Sequence, residues 1–477
     1  MHGPQAPMRP SDARVLSTLE ADGSRRWLRP LQSAGRFLTR RRVFAWALIF
    51  LFAALPFVRV HGQPALLLDL VHRRFHVFGV TFFPTDTLLL ALALLAVFVT
   101  IFLLTALFGR VWCGWACPQT VYLEFVFRPI ERWLEGKDGK RATPGRKLAK
   151  LAIYVVIAAL LANVFLAYFV GVDELERWMT RPPGEHWSAF IVMAIVTVMI
   201  LIDFGFFREQ MCTLACPYGR FQSVMLDRHS LIIGYDRNRG EPRGPIRAQE
   251  AVAKGDCIDC KLCVKTCPTG IDIRDGLQME CIGCAQCIDA CDAVMERIAR
   301  PRGLIRYSSQ ASLEHGKRRI VRPRVIIYPA ALTAILIALA TLLAARSPLD
   351  VTSLRAAGTP YRVLDDGRVE NLVRLKVTNR DDVPHRYTVS MPEPPTGAKF
   401  AKFEGGEPTA EVAATDSTTV AVRITVAANL FDHGLASVRL TVTDDRGHAQ
   451  VFDHALLGPL FSGGVEPERH DHEEGDR

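Results

Sequence analysis

The chain has 477 residues, 12 cysteines and a formal net charge of +9. Length alone would suit about three soluble domains of ~150 residues, but several apolar runs reach the ~20 residues that cross a bilayer, which excludes a wholly soluble protein. The positive charge follows the loops between those runs, so it implies no nucleic-acid partner, and with no cysteine after Cys291 there is no disulfide scaffold.

Residues 1–42 are polar and Arg-rich, close on Arg40, Arg41 and Arg42, and read as a largely disordered cytoplasmic tail. The apolar run after them starts too late for a secretory signal peptide. Five spans follow, Val43–Val58, Thr87–Phe108, Leu151–Val170, Ser188–Phe207 and Val325–Ala345. The first four make a membrane domain over 43–207, and the fifth is a separate helix over 325–345. The tail before the first span holds nine Lys/Arg, and the loop Gly109–Lys150 holds nine against four acids. The loop Gly171–Trp187 has two Lys/Arg and four acids. By the positive-inside rule the N-terminus is inside and the odd spans run outward. Between spans one and two, Leu66–Phe83 is too basic to span and reads as a short outer-face element; His72 and His76 would share a face if it were helical.

Two near copies, VWCGWACP (Val111–Pro118) and QMCTLACP (Gln210–Pro217), follow the two even spans. Their x3 spacing places Cys113 and Cys117, and likewise Cys212 and Cys216, one turn apart on a helix face. The proline puts each second cysteine near a helix end. Four soft thiols at one membrane depth suit Cu(I), zinc or an iron–sulfur centre, the bland alternative being buried inert cysteines. Such a site holds Cu(I) more tightly than Cu(II), each tenfold preference raising the potential by ~59 mV. Asp203, inside span four, is either a functional acid or one that reaches the interface or an arginine.

The segment 208–324 lies on the same side. It carries C-I-D-C-K-L-C-V-K-T-C-P and, twelve residues later, C-I-G-C-A-Q-C-I-D-A-C-D. Two C-x2-C-x2-C-x3-C runs are the spacing of a dicluster ferredoxin, in which the fourth cysteine of each run ligates the other cluster. Cys257, Cys260, Cys263 and Cys291 then hold the first [4Fe–4S] cluster, and Cys281, Cys284, Cys287 and Cys267 the second. Zinc is the competing ligand for C-x2-C pairs, but it has no use for two tandem copies of this rhythm. All twelve cysteines face one, reducing, compartment.

From 346 to 462 the composition changes. Val369–Thr378, Thr418–Val426 and Ala436–Thr443 alternate apolar and polar residues between turn formers, which predicts an immunoglobulin-like sandwich. Gly463–Arg477 is an acidic tail bearing His470 and His472. The fold class is thus a five-span α-helical membrane bundle with an inserted dicluster ferredoxin-like domain and a C-terminal all-β sandwich.

WCGWACPQTVYLE (Trp112–Glu124), CTLACPYGRFQ (Cys212–Gln222), the two cysteine runs and GLIRYSS (Gly303–Ser309) resemble the FixG/CcoG/RdxA family of cytochrome c oxidase accessory proteins. The resemblance implies a bacterial inner-membrane protein with cytoplasmic N-terminus and clusters, a periplasmic C-terminal domain, and a role in assembling a cbb-type oxidase. It implies reduction of Cu(II) to Cu(I), with copper as substrate or transient ligand of Cys113, Cys117, Cys212 and Cys216. Its implied partners are copper-delivery proteins, cbb-type oxidase subunits and an electron donor the sequence does not name. Two other readings stand beside it, a quinol-linked electron-transfer subunit and a non-enzymatic assembly scaffold. No glycine motif for a built-in nicotinamide or flavin site is evident.

Overall fold

The computed structural model describes residues 16–460 apart from 21, 137, 246–254, 317–320, 355–357, 393–401 and 404–407. The first fifteen residues and the acidic tail with His470 and His472 lie outside the described residues. The chain divides into two compact units, Met1–Thr341 and Leu342–Arg477.

In the first unit, helix α1 (Arg36–Ala54) leads through a short extended segment to α2 (Thr87–Phe108). Two short helices follow, α3 (Val111–Trp115) and α4 (Pro118–Tyr122), then the long α5 (Pro144–Val170) and α6 (Trp187–Ile202). Helix α7 (Pro217–Met225) leads into the cysteine-rich segment, where α8 (Leu262–Lys265) and α9 (Gln286–Arg297) repeat each other, and α10 (Pro323–Ala344) closes the unit.

Four helical stretches are long and apolar enough to cross a membrane: Thr87–Phe108, Pro144–Val170, Pro183–Phe207 and Pro323–Ala344. Their apolar side chains are largely exposed, down to no buried residue in α10; such surface is stable only against lipid. This is a multi-pass membrane protein. The first expected span, Val43–Val58, is not among the four. It lies in a helix that begins seven residues earlier and includes Arg36, Arg40, Arg41 and Arg42, charges that lower its hydropathy.

Nor is the chain before it a free tail. The Leu31 amide donates to the Lys265 carbonyl (2.9 Å), Thr18 pairs with Thr213 (3.3 Å), and Leu28 is buried. Leu66–Phe83 is not helical either. It forms three antiparallel strands, Leu66–Asp69, Arg74–Val77 and Val80–Phe82. His76 is buried against Thr81 (2.8 Å), while His72 sits in a turn on Asp69 (2.7 Å), so the two do not share a face.

The second unit is a two-sheet sandwich. One sheet runs Lys402–Phe403, Ser417–Ala427, Arg368–Asn379, Leu349–Leu354, with Arg362–Val363 beside the third. The other runs Thr409–Val412, His385–Ser390, Leu435–Asp444, Ala449–Leu457. Along Arg368–Asn379 the residues Val369, Val373, Leu375 and Val377 turn inward and meet Tyr387, Val438, Leu440 and Val442 from the other sheet. That is the alternation the sequence shows, doing what a period of two dictates.

Candidate functional site

The two cysteine runs fold alike. Asp259 and Lys261 flank Cys260 with φ of 54° and 56°, and Gly283 and Ala285 flank Cys284 with φ of 68° and 62°. Left-handed residues on each side of the middle cysteine curl the chain, and such curls make anion-binding concavities lined by amide N–H groups. Helices α8 and α9 then start at once, carrying Cys263 and Cys287.

Two cavities result. One is lined by Cys257, Cys260, Cys263 and Cys291. The other is lined by Cys267, Cys281, Cys284 and Cys287, with Cys263 shared between the two. The structure therefore groups the eight cysteines into the two crossed quartets. Among the described residues no three His, Cys, Asp or Glu meet at the spacing of a single metal ion. Tetrahedral zinc would hold its sulfurs roughly 3.8 Å apart; a cubane spreads its four thiolates farther, which suits quartets that do not close on a single ion. Burial also pushes Cys281 and Cys284 up to about 11 and Cys291 up to about 12. Bare thiolates there are disfavoured, and a metal centre supplies the compensating charge.

The membrane-face pairs differ from expectation in one respect. Each C-x3-C is not one helical turn. Helix α3 ends before Cys117, which is extended (φ −61°, ψ 126°) and caps α4, and a π-helical turn, Met211–Ala215, ends before Cys216 (φ −71°, ψ 108°), which caps α7. Pro118 and Pro217 impose this, because a residue before proline avoids the helical region while proline itself suits a first helical position. The four thiols lie near one another, but among the described residues no three of them meet at the spacing of a single metal ion. Cys212 interacts electrostatically with Cys117, Cys113 and Cys216, and burial first, then those neighbours, push it up to about 12. Among the described residues Asp203 pairs with no arginine; it accepts a hydrogen bond from the Gln119 amide (2.9 Å).

This quartet abuts the second cluster cavity. Cys113, Ile282 and Cys284 share one buried apolar cluster with Tyr218 at its edge. Gly114 makes the approach possible, since a Cβ there would lie 2.6 Å from the Ile282 carbonyl oxygen and 2.8 Å from the Cys284 backbone. A second link runs from Trp115 Nε1, which donates to the Tyr307 hydroxyl (3.0 Å), to Tyr307, which donates to the Gly283 carbonyl (2.5 Å). Gln222, 1% exposed, accepts from the Cys113 thiol (3.1 Å) and donates to Thr105 (3.0 Å) and Tyr218 (2.7 Å). Sequence reasoning passed over Gly114, Gln222 and Arg41. Only Gly114, wedged between a cysteine and a tryptophan, carried a local signal.

Residues 207–310 match the 4Fe-4S dicluster domain family, and residues 90–141 match a 4Fe-4S binding domain family. Residues 339–459 match the immunoglobulin-like fold at the C-terminus of FixG. Nitrogen fixation protein FixG of Rhizobium meliloti is 33% identical over 441 residues, 80% of this chain and 82% of its own. Proteins RdxA and RdxB of Cereibacter sphaeroides are each 33% identical, over 76% and 84% of this chain and 81% and 88% of theirs. The chain belongs to the FixG/RdxA family. This FixG/RdxA-family protein is thus a membrane iron–sulfur electron-transfer protein, whose dicluster domain holds the eight cysteines and whose sandwich is the family's immunoglobulin-like domain.

Proposed function

We propose that the protein reduces Cu(II) to Cu(I) at the Cys113, Cys117, Cys212 and Cys216 quartet, for assembly of a cbb-type oxidase. The observation that carries this is the shared burial of Cys113 and Cys284, which puts a cluster-binding residue against a thiol site that prefers the cuprous ion. The bound [4Fe–4S] clusters supply single electrons. The chain's part is to hold the two sites in contact through Gly114, to orient the Cys113 thiol with Gln222, and to exclude water from the junction. The substrate Cu(II) gains one electron, which a cytoplasmic donor replaces. Copper-delivery proteins and oxidase subunits are the partners this reading requires.

The reading has five crossings. Arg41 of α1 bonds Gly114 on the cluster side, whereas Tyr168, near the far end of α5, bonds the Phe52 carbonyl (2.6 Å), and Arg59 pairs with Asp173 just beyond it (2.7 Å). The uncharged part of α1, residues 43–54, is about 18 Å of helix, and the turn Leu55–Phe57 extends it toward the ~30 Å hydrocarbon thickness. The arginines of α1 crowd the end nearest the clusters, which together with the Gly109–Lys150 loop makes that side cytoplasmic. The sandwich beyond α10 is then periplasmic.

A second reading is favoured by the match of residues 90–141 to a 4Fe-4S binding family, since that stretch includes Cys113 and Cys117. On it the quartet holds a third iron centre. One experiment separates the two. Protein reduced anaerobically with dithionite and then freed of it is given Cu(II) with a Cu(I) chelator, alongside a variant with all four cysteines changed to Ala. Lost turnover with full iron content supports copper reduction at the thiols. Lost iron supports the third centre, and unchanged turnover overturns the proposal.

A further inference from the structure

Arg41 is 1% exposed. Its Nε donates to the Gly114 carbonyl (2.9 Å) and its guanidinium lies 5.5 Å from the Phe125 ring centroid. Nη1 and Nη2 are buried and have no hydrogen-bond partner among the described residues. The Gly114 it holds packs against the Cys284 backbone, which would lie 2.8 Å from an added Cβ. Arg110 repeats the pattern. It is 7% exposed, donates one Nη to the Met279 carbonyl, leaves Nε unpartnered among the described residues, and faces Cys281 and Cys113. Buried charges in folded proteins are paired or serve a metal centre. Both arginines stand beside the Cys281–Cys284 loop of the second cavity, Arg41 through Gly114, which packs on the Cys284 backbone, and Arg110 alongside Cys281 and Gly283, where it also borders Cys113.

The other cavity is the reverse. Its buried cation, Arg274, is already neutralised by Asp272 (2.6 Å) and Asp259 (2.5 Å). Arg274 lines this cavity, and Asp292 follows Cys291 directly in the chain. Cys260 at this end is exposed. The two quartets share ligand type and fold but differ in local charge.

We propose that Arg41 and Arg110 make the Cys267/Cys281/Cys284/Cys287 cluster the higher-potential member of the pair. Reduction adds a negative charge to an anionic centre, so an adjacent unneutralised cation favours the reduced state, and a cation already bound by two carboxylates does not. Electrons entering at the exposed Cys260 end settle on the cluster beside Cys113. This rests on the cluster assignment and not on copper, so it can fail while the copper reading stands, and the converse.

The test is a redox titration of the full-length, iron-replete protein followed by low-temperature EPR, with no copper present. The wild type gives two one-electron waves. Arg41→Gln lowers the upper wave by at least the equivalent of a tenfold change, about 59 mV, and leaves the lower wave in place; Arg41→Lys, which keeps the charge, moves it less. A brace that merely holds Gly114 would move neither wave in protein that keeps its iron. An unmoved upper wave, a shift of the lower wave instead, or coincident waves in the wild type overturns the proposal. Should Arg41→Gln lose iron, Arg110→Gln decides on the same criteria.

Discussion

The carboxylate of Asp289 caps the helix that begins at Arg36: its oxygens accept the amide protons of Leu38 (2.8 Å) and Phe37 (3.2 Å). Helix α1 has no capping side chain of its own, because Gly35 precedes it. A side chain from the iron–sulfur segment fills that place and sets a negative charge against the positive end of the helix dipole. Gly35 is required there, since a Cβ would fall 2.3 Å from the Asp289 carboxyl carbon.

Replacing Asp289 by Ala therefore costs about 1 kcal/mol, the usual worth of an N-cap. Asp289→Asn, which keeps the acceptor and loses the charge, costs less. Thermal unfolding in detergent checks this, with full iron content expected in Asp289→Asn.

Gly114→Ala strikes harder. Its new methyl meets backbone rather than flexible side chains, at 2.6–2.8 Å from Ile282 and Cys284. Overpacking of this kind costs roughly 1–3 kcal/mol. The contact between α3 and the second cluster loop opens, and iron analysis is expected to show loss confined to that cluster.

Gln222→Leu keeps the volume and removes the acceptor for the Cys113 thiol along with the donor to Thr105 and Tyr218. One unmade buried hydrogen bond costs about 1–3 kcal/mol. Copper reduction should fall about tenfold with iron unchanged; an equal loss of iron would assign Gln222 to the fold instead of the thiol site.

His385 gives the sandwich a pH dependence. Its two ring nitrogens face Asp445 (2.5 Å) and Asp381 (3.0 Å), an arrangement that only the imidazolium satisfies. Burial opposes the charge, but the two carboxylates outweigh it and hold the pKa above the usual 6.5. The folded value exceeds the unfolded one, so this stabilisation is complete below pH ~6.5 and is lost as pH rises through the folded value. The sandwich melts lower at pH 9 than at pH 6, and His385→Gln flattens that difference.

Much of this was legible in the sequence, for identifiable reasons. Thr87–Phe108 begins and ends where its hydropathy does, because lipid tests composition alone. The strands of the sandwich follow alternation because one face is core. The sequence was silent where tertiary contact decides. Arg40, Arg41 and Arg42 look alike as letters, and only the turn of α1 sends the middle one inward beneath Gly114. The helical spacing of C-x3-C suggested one continuous turn, and the prolines after it prevailed. Leu66–Phe83 gave no clear period, and strand pairing settled it.

The residues that close the N-cap of α1 are 251 positions apart in the chain. A ribosome delivers Leu38 long before Asp289 exists, so α1 first forms with the Leu38 and Phe37 amides uncapped. Closure of that N-cap waits on synthesis of the iron-binding segment, so the first turn of the helix is the last part of it to be secured.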